Sequence, residues 1–372
     1  MGLPEVYYNT NMVLVEGFVL SFIITYISIP PLLDVAREKK LYDVPNGRTS
    51  HEITTPTLGG IAIFAGFVIS SMVFLNIVLI PFIQYVMAGA IIIFFIGLKD
   101  DVSGLSPLKK FIGEIIAAGI IIDLGNIRID SLHGFIGIGA LSTVSSDFLS
   151  LFVVVAIINA FNLIDGIDGL SSGVGILASL AFGIWFYLVG QIQLAIMAAI
   201  TVGALLAFFR FNFFSKDNKI FMGDIGSLLL GFILAIFAIK FNEINGLANG
   251  SSQYFIKAAP SVSIGILIIP IFDTVRVMVV RMMKGISPFK ADKRHLHHYL
   301  LELTGNHKKA TLIMLGFNVV FIVISFLFRN LRISYHALML TLLAATLSFI
   351  PYYMVRKRRK NNVVGRYKSH IE

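Results

Sequence analysis

Four polar clusters interrupt an otherwise apolar chain: Lys99-Asp100-Asp101, the run Asn159 to Gly169, Phe221-Met222-Gly223-Asp224, and Arg294-His295-Leu296-His297-His298. Each sits at the end of a long apolar run. A charge placed in hydrocarbon is expensive, so these groups must be wet, paired or metal-bound. Asp100 and Asp101 are adjacent carboxylates that repel one another and gain from a nearby cation. Mg²⁺ is commonly held by one or two protein carboxylates plus substrate phosphates. Solvated acids at a helix end are the plainer reading. Lys110 follows a turn at Gly104 and Pro107, and could reach back to a phosphate or mark the next membrane boundary.

Asn159, Asn162 and Asp165 recur at i, i+3 and i+6 and share one helical face. Asp168 repeats the step, and Gly166 and Gly169 let a bent backbone approach a ligand closely. Capping and turn formation explain one or two of these residues, not all. Asp224 precedes an apolar run and reads as an N-cap, although a helix N-terminus beside Gly and Ser also suits an anion or its metal. Phe221 offers a ring to stack on a flat base, or an anchor at the membrane interface. The three histidines could bind Zn²⁺, but no Cys and no HExxH accompany them. Beside Lys293 and Arg294, hydrogen bonding to pyrophosphate and sugar is the better reading; a pH-tuned surface loop is the alternative.

Other motifs are excluded or bland. There is no GxxxxGK[ST] and so no P-loop. The chain has no cysteine, which removes disulfides, thiolate nucleophiles and Cys-bound metal. Gly173 to Ala178 imitates a dinucleotide fingerprint but opens an apolar run, and reads as small-residue helix packing. His133 and His336 stand without supporting neighbours and receive no role.

The elements that must carry these clusters are membrane helices. Of 372 residues 56% are hydrophobic and only 14% charged, with a mean hydropathy of +0.84. Eleven apolar runs approach the ~20 residues that a bilayer core requires: 12–33, 58–80, 82–98, 109–124, 148–163, 171–189, 191–209, 225–241, 256–280, 310–328 and 334–354. The fourth is short and carries Glu114 and Asp123. With the N-terminus periplasmic and the C-terminus cytoplasmic, all but five of the 30 Lys and Arg fall inside, the exceptions being Arg128, Lys240, Lys257, Arg329 and Arg332. The same orientation brings all four clusters to the cytoplasmic face. The net charge of +9 is thus a matter of topology and not of nucleic-acid binding. The first basic residue is Arg37, so no cleavable signal peptide is expected. A small periplasmic hairpin is expected within 125–147, and Pro260 and Pro270 should kink or break the ninth span. The fold class is therefore an all-α polytopic membrane protein, with one transmembrane catalytic domain over 1–355 and a basic cytoplasmic tail over 356–372.

Taken together, the clusters resemble the polyprenyl-phosphate N-acetylhexosamine-1-phosphate transferases, a family that includes initiators of O-antigen, enterobacterial common antigen and teichoic-acid linkage synthesis. The peptidoglycan phospho-MurNAc-pentapeptide translocase is related. The segments carrying the resemblance are Arg48–Gly60 with its Pro-Thr-Leu-Gly-Gly, Gly97–Val102, Asn159–Leu170, Phe221–Leu228 and Ser287–His298. Leu296 interrupts the histidines, which resembles the N-acetylglucosamine branch and argues against UDP-MurNAc-pentapeptide as donor.

The resemblance implies transfer of GlcNAc-1-phosphate from UDP-GlcNAc to undecaprenyl phosphate at the inner membrane, releasing UMP, with Mg²⁺ (Mn²⁺ as substitute) as cofactor. It implies Asp224 and Asn162 as metal ligands. Asp100 and Asp101 would bind or deprotonate the lipid phosphate, or support the metal. Asp168 and Phe221 would hold the uracil, with Asp165 shaping the same pocket, and Asn159 is a further substrate-binding residue. Lys110, Arg294 and His295 would hold the pyrophosphate, and His297 and His298 would complete the sugar-phosphate pocket. Arg48 and His51 match the family's first cytoplasmic loop without a specific role. Another UDP-HexNAc donor is the competing enzymatic reading, a secondary transporter the competing class, and a homodimer is left open.

Overall fold

The computed structural model describes residues 10–39, 42–43, 55–247, 253–287 and 294–368. The helices are α1 (Thr10–Glu38), α2 (Gly59–Phe74), α3 (Ile83–Ser103), α4 (Pro107–Gly119), α5 (Thr143–Ile164), α6 (Leu170–Leu188), α7 (Ile192–Phe209), α8 (Gly223–Leu247), α9 (Ala259–Ile266), α10 (Ile268–Met282), α11 (Leu296–Thr304), α12 (His307–Leu327) and α13 (Ile333–Lys368). Two antiparallel pairs interrupt them: β1 (Tyr42–Asp43) with β2 (Thr55–Pro56), and β3 (Ser131–Phe135) with β4 (Ile138–Ala140). The second pair is the hairpin expected within 125–147.

Local chemistry explains the boundaries. Gly104 takes φ +70° just after α3, and Pro107 opens α4 where no backbone N–H is needed. The Ser142 hydroxyl caps α5 by accepting from Ser145 N, and Asn306 caps α12 by accepting from Lys309 N. Gly305 closes α11 in the left-handed region. The ninth apolar run is broken: α9 and α10 meet at an 85° bend at Leu267. Pro260 and Pro270 each lie in the first turn of one half, so they start helices and interrupt none.

Each of the eleven apolar runs falls on a helix, the ninth on two. Among the described residues seven helices are long and apolar enough to cross a membrane, up to eight if the bent pair is one span, and α2 is a shorter apolar helix. The chain is an all-α, multi-pass membrane protein. Its centre is α8, buried on nearly every side by α2, α3, α5 and α6. A helix apolar all round belongs in such a position. The N-terminus of α8 is consequently the point at which several helix ends meet.

Candidate active site

Backbone hydrogen bonds build the floor of the site. Phe221 N donates to Pro56 O (2.7 Å), Gly59 N to Phe221 O (3.0 Å) and Gly60 N to Met222 O (2.8 Å). The Pro-Thr-Leu-Gly-Gly segment therefore runs alongside Phe221-Met222-Gly223. Glycine is required at two points of closest approach. Gly223 has φ +69°, and a Cβ there would strike Thr57 O and the Asp101 carboxylate. A Cβ on Gly97 would lie 2.5 Å from Ile225 Cα, so α3 could not otherwise lie against α8.

Carboxylates converge on this floor. Asp101 accepts from Asp224 N (2.8 Å) and Ile225 N (3.2 Å), which satisfies two free amides of the α8 N-terminus. Asp224 is therefore not the N-cap that its position suggested. It lies in the first turn of α8, where its Oδ1 accepts from Lys110 Nζ (2.8 Å) and from the Asn162 amide. Asn162 also donates to Ser227 Oγ (3.0 Å). Lys110 lies 3.0 Å from Asp100 Oδ2, so one ammonium bridges Asp100 and Asp224. Asp100 Oδ1 accepts from Leu105 N (2.7 Å) and holds the turn that returns the chain to α4. Asn159 donates to Glu114 of α4. The two acids beside Lys110 and the Asn162 amide form an oxygen-rich donor set, which suits a hard divalent cation. Among the described residues no three His, Asp or Glu side chains form a metal cage. A cation completed by substrate phosphates needs none.

A second group of contacts lies where α5 leads into α6. Asp165 follows the last residue of α5, and desolvation pushes its carboxyl well above the usual range. The negative charges of Asp224, Asp101 and Asp168 push it further the same way. Asp168 Oδ2 pairs with Lys219 Nζ (2.7 Å), while its Oδ1 is buried without a hydrogen-bond partner among the described residues. Its carbonyl accepts from Thr311 Oγ1 (2.6 Å). Lys219 also lies 5.3 Å from the centre of the Phe221 ring. Asn212 ties these loops together by accepting from Gly169 N (2.6 Å) and donating to Ile220 O (2.8 Å). It sits in a single π-helical turn, Arg210–Phe214, that extends α7.

The histidines arrive on α11. His295 and His297 are buried and His298 is half-buried. The His295 ring and Leu296 N are held by Asp273 of α10, at 2.9 Å each. Asp273 also accepts from Arg276 Nη2 (2.7 Å), which in turn donates to Arg294 O (2.6 Å). His297 touches the second cluster, since a Cβ on Gly166 would lie 2.7 Å from its Nε2. Burial, then the neighbouring His298, holds the His297 imidazolium down to a pKa of about 3, so the ring is neutral at physiological pH.

Each polar cluster thus touches another: the first meets the third through Asp101, the second meets the third through Asn162, and the fourth meets the second through His297. Comparison with known proteins identifies relatives of this chain. Residues 83–242 match glycosyl transferase family 4. The decaprenyl-phosphate N-acetylglucosaminephosphotransferase of Mycobacterium tuberculosis is 33% identical over 316 residues, covering 78% of this chain and 76% of that protein. The protein of the same name from Mycolicibacterium smegmatis is 35% identical over 295 residues, 73% of this chain and 71% of the relative. The undecaprenyl-phosphate alpha-N-acetylglucosaminyl 1-phosphate transferase of Escherichia coli K12 is 32% identical over 274 residues, covering 72% and 71%. The chain belongs to the polyprenyl-phosphate N-acetylglucosamine-1-phosphate transferase family.

Within this transferase the structure gathers Asp100, Asp101, Lys110, Asn162 and Asp224 into one centre, with Asp165 in electrostatic reach of it. Asp168 and Phe221 flank Lys219 beside that centre. His295 is committed to Asp273, and Asn159 to Glu114. Arg48 and His51 lie outside the described residues. Sequence reasoning missed Asp273, Arg276, Asn212 and the partnership of Glu114. The available signal was an isolated acid or amide inside an apolar run, which needs a partner wherever it is buried.

Proposed function

We propose that this transferase moves GlcNAc-1-phosphate from UDP-GlcNAc to undecaprenyl phosphate, giving undecaprenyl-diphospho-GlcNAc and UMP. The observation that carries this reading is the Lys110 ammonium shared by Asp100 and Asp224 at the N-terminus of α8. The names borne by the relatives supply the substrate class. We place the centre on the cytoplasmic face of the inner membrane, in a chain of eleven crossings with a periplasmic N-terminus, on the asymmetry of Lys and Arg.

Two phosphate esters repel as they approach, so the reaction is chiefly a matter of positioning and charge. Asp224 and Asn162 would hold Mg²⁺, with Asp100 beside them. When bound, the ion screens the phosphates and offsets the charge that develops on the departing UMP. Lys110 reaches the same region and can pass from carboxylate to phosphate. Asp168 Oδ1, buried and without a hydrogen-bond partner among the described residues, is an acceptor suited to the uracil N–H, with the Phe221 ring nearby. An oxygen of the lipid phosphate attacks the β-phosphorus. A new P–O bond forms, the bond between the β-phosphorus and the bridging oxygen breaks, and that oxygen leaves with UMP. No covalent enzyme intermediate is needed.

The test is a donor panel on purified protein: radiolabelled UDP-sugars, undecaprenyl phosphate and Mg²⁺, with Asp224→Ala and chelator controls. UMP formation should require UDP-GlcNAc, lipid and metal together. UMP release without lipid acceptor would overturn direct attack, and full activity in Asp224→Ala would overturn the metal assignment.

A further inference from the structure

A second charged feature lies at the other end of α8. Gly223 begins this helix and Leu247 ends it; at about 1.5 Å per residue the two ends are roughly 36 Å apart. Five basic residues occupy the loops and helix ends on that far side. Two are neutralised: Arg128 by Asp130 (3.1 Å) and Asp147 (3.3 Å), and Lys240 by Glu243 (2.8 Å). Lys257, Arg329 and Arg332 are exposed and have no acidic partner among the described residues. These three are brought together by the fold. The loop before α9 and the loop between α12 and α13 are joined by the bond from Ala258 N to Arg329 O (3.0 Å).

Between those loops and the β3–β4 hairpin is an open cavity of about 450 Å³, lined by His133, Lys257, Arg332, Ser334 and Tyr335 among others. His133 is fixed in place: it takes φ +52° in the hairpin, and its ring lies against Gly246 of α8. The cavity offers two fixed cations, an imidazole, a hydroxyl and a phenol, which are donors suited to a phosphate ester. An apolar track leads away from it along α13. Tyr335, Leu338 and Leu342 are 64%, 56% and 59% exposed, and their i, i+3, i+7 spacing sets them on one face. A soluble anion has no use for that track, whereas an acyl chain does.

We infer that this far-side cavity binds the headgroup of an anionic phospholipid, with its phosphate between Lys257 and Arg332 and an acyl chain along Tyr335, Leu338 and Leu342. The site is separate from the transferase centre and does not depend on the reaction assigned to it. It gives a role to His133, which the sequence left without one.

The test uses the full-length protein, delipidated in detergent and read by native mass spectrometry. Three probes are added separately: phosphatidylglycerol, phosphatidylcholine and inorganic phosphate. The wild type should retain phosphatidylglycerol over phosphatidylcholine. Lys257→Gln with Arg332→Gln should lower phosphatidylglycerol retention about 25-fold, or about fivefold for each cation near a membrane surface. Ser334→Glu, which sets a carboxylate in the cavity, should act in the same direction. Lys216→Gln, an exposed cation in the loop that precedes the α8 N-terminus, should change nothing, and transferase activity should persist in all three variants. Unchanged phosphatidylglycerol retention in both cavity variants would overturn the site. Displacement of the lipid by inorganic phosphate would overturn its assignment to a lipid.

Discussion

Asp273 organises the histidine helix without belonging to it, and removing its carboxylate tests that role directly. In Asp273→Ala three hydrogen bonds disappear. Arg276 keeps the carbonyl of Arg294 and its contact with the Tyr299 ring. The His295 Nδ1 and Leu296 N–H lose these partners, and both residues are buried. An orphaned buried donor costs about 1–3 kcal/mol, so the pair costs about 2–6 kcal/mol. That penalty falls on α11, a helix of 9 residues. A helix so short has little stability beyond its docking contacts. The docked-to-undocked ratio should drop about 30-fold or more. Hydrogen exchange read by mass spectrometry should show faster exchange over 294–304, with α5 and α8 unaffected, and kcat/KM should fall with the docked fraction, by up to that factor. Asp273→Asn retains one acceptor and should recover part of both. Unchanged exchange over 294–304, or unchanged kcat/KM in a protein whose α11 exchanges freely, would refute the claim that Asp273 positions the histidines for the reaction.

Four further outcomes are expected. Lys110→Gln leaves Asp100 and Asp224 facing each other without their shared cation, so activity should fall at least 100-fold by about 3 kcal/mol of lost charge pairing, and Tm without metal should drop in differential scanning fluorimetry. Gly223→Ala forces a Cβ into the left-handed region at a cost of about 1–2 kcal/mol before any clash with Thr57 O, and should abolish turnover while leaving the remaining helices folded by circular dichroism. Asp165 holds a proton more tightly folded than unfolded, so its contribution is lost as pH rises above the unfolded value; Asp165→Asn should raise Tm without metal, by more at about pH 8 than at about pH 5, while reducing activity. His297 has the opposite linkage: with its pKa lowered to about 3, its neutral form stabilises the fold above the unfolded value of 6.5, and that contribution is lost as pH falls. Protection of 294–304 from exchange should therefore weaken from about pH 7 to about pH 5, and His297→Gln should flatten the dependence.

Much of this arrangement was legible in the sequence, because the bilayer makes polar residues conspicuous. Apolar runs located the helices, and Lys and Arg pointed to one face for Asp100, Asp224 and the Asn159–Gly169 run. The i, i+3, i+6 spacing was sound, yet it did not say that Asn159 serves Glu114 while Asn162 serves Asp224. Glu114 weakened the reading of the fourth apolar run for the same reason that it matters: an acid there must have a partner, and the partner is 45 positions away. Asp273 and Asn212 were hidden because their deciding bonds, to His295 and Leu296 and to Gly169, reach segments far away in the sequence. Crossing number is illegible from helix length alone, since α2 is too short and the ninth run bends by 85°.

The main-chain ladder between residues 56–60 and 221–222 bears on how this enzyme can diverge. Amide-to-carbonyl bonds are indifferent to the side chains that decorate them. Substitution of the half-buried Thr57 can therefore change the local side-chain chemistry while the scaffold beneath keeps its dimensions, whereas Leu58 and Met222 are buried and must keep their packing. The glycines without room for a β-carbon, Gly59, Gly60 and Gly223, are barred from any such change.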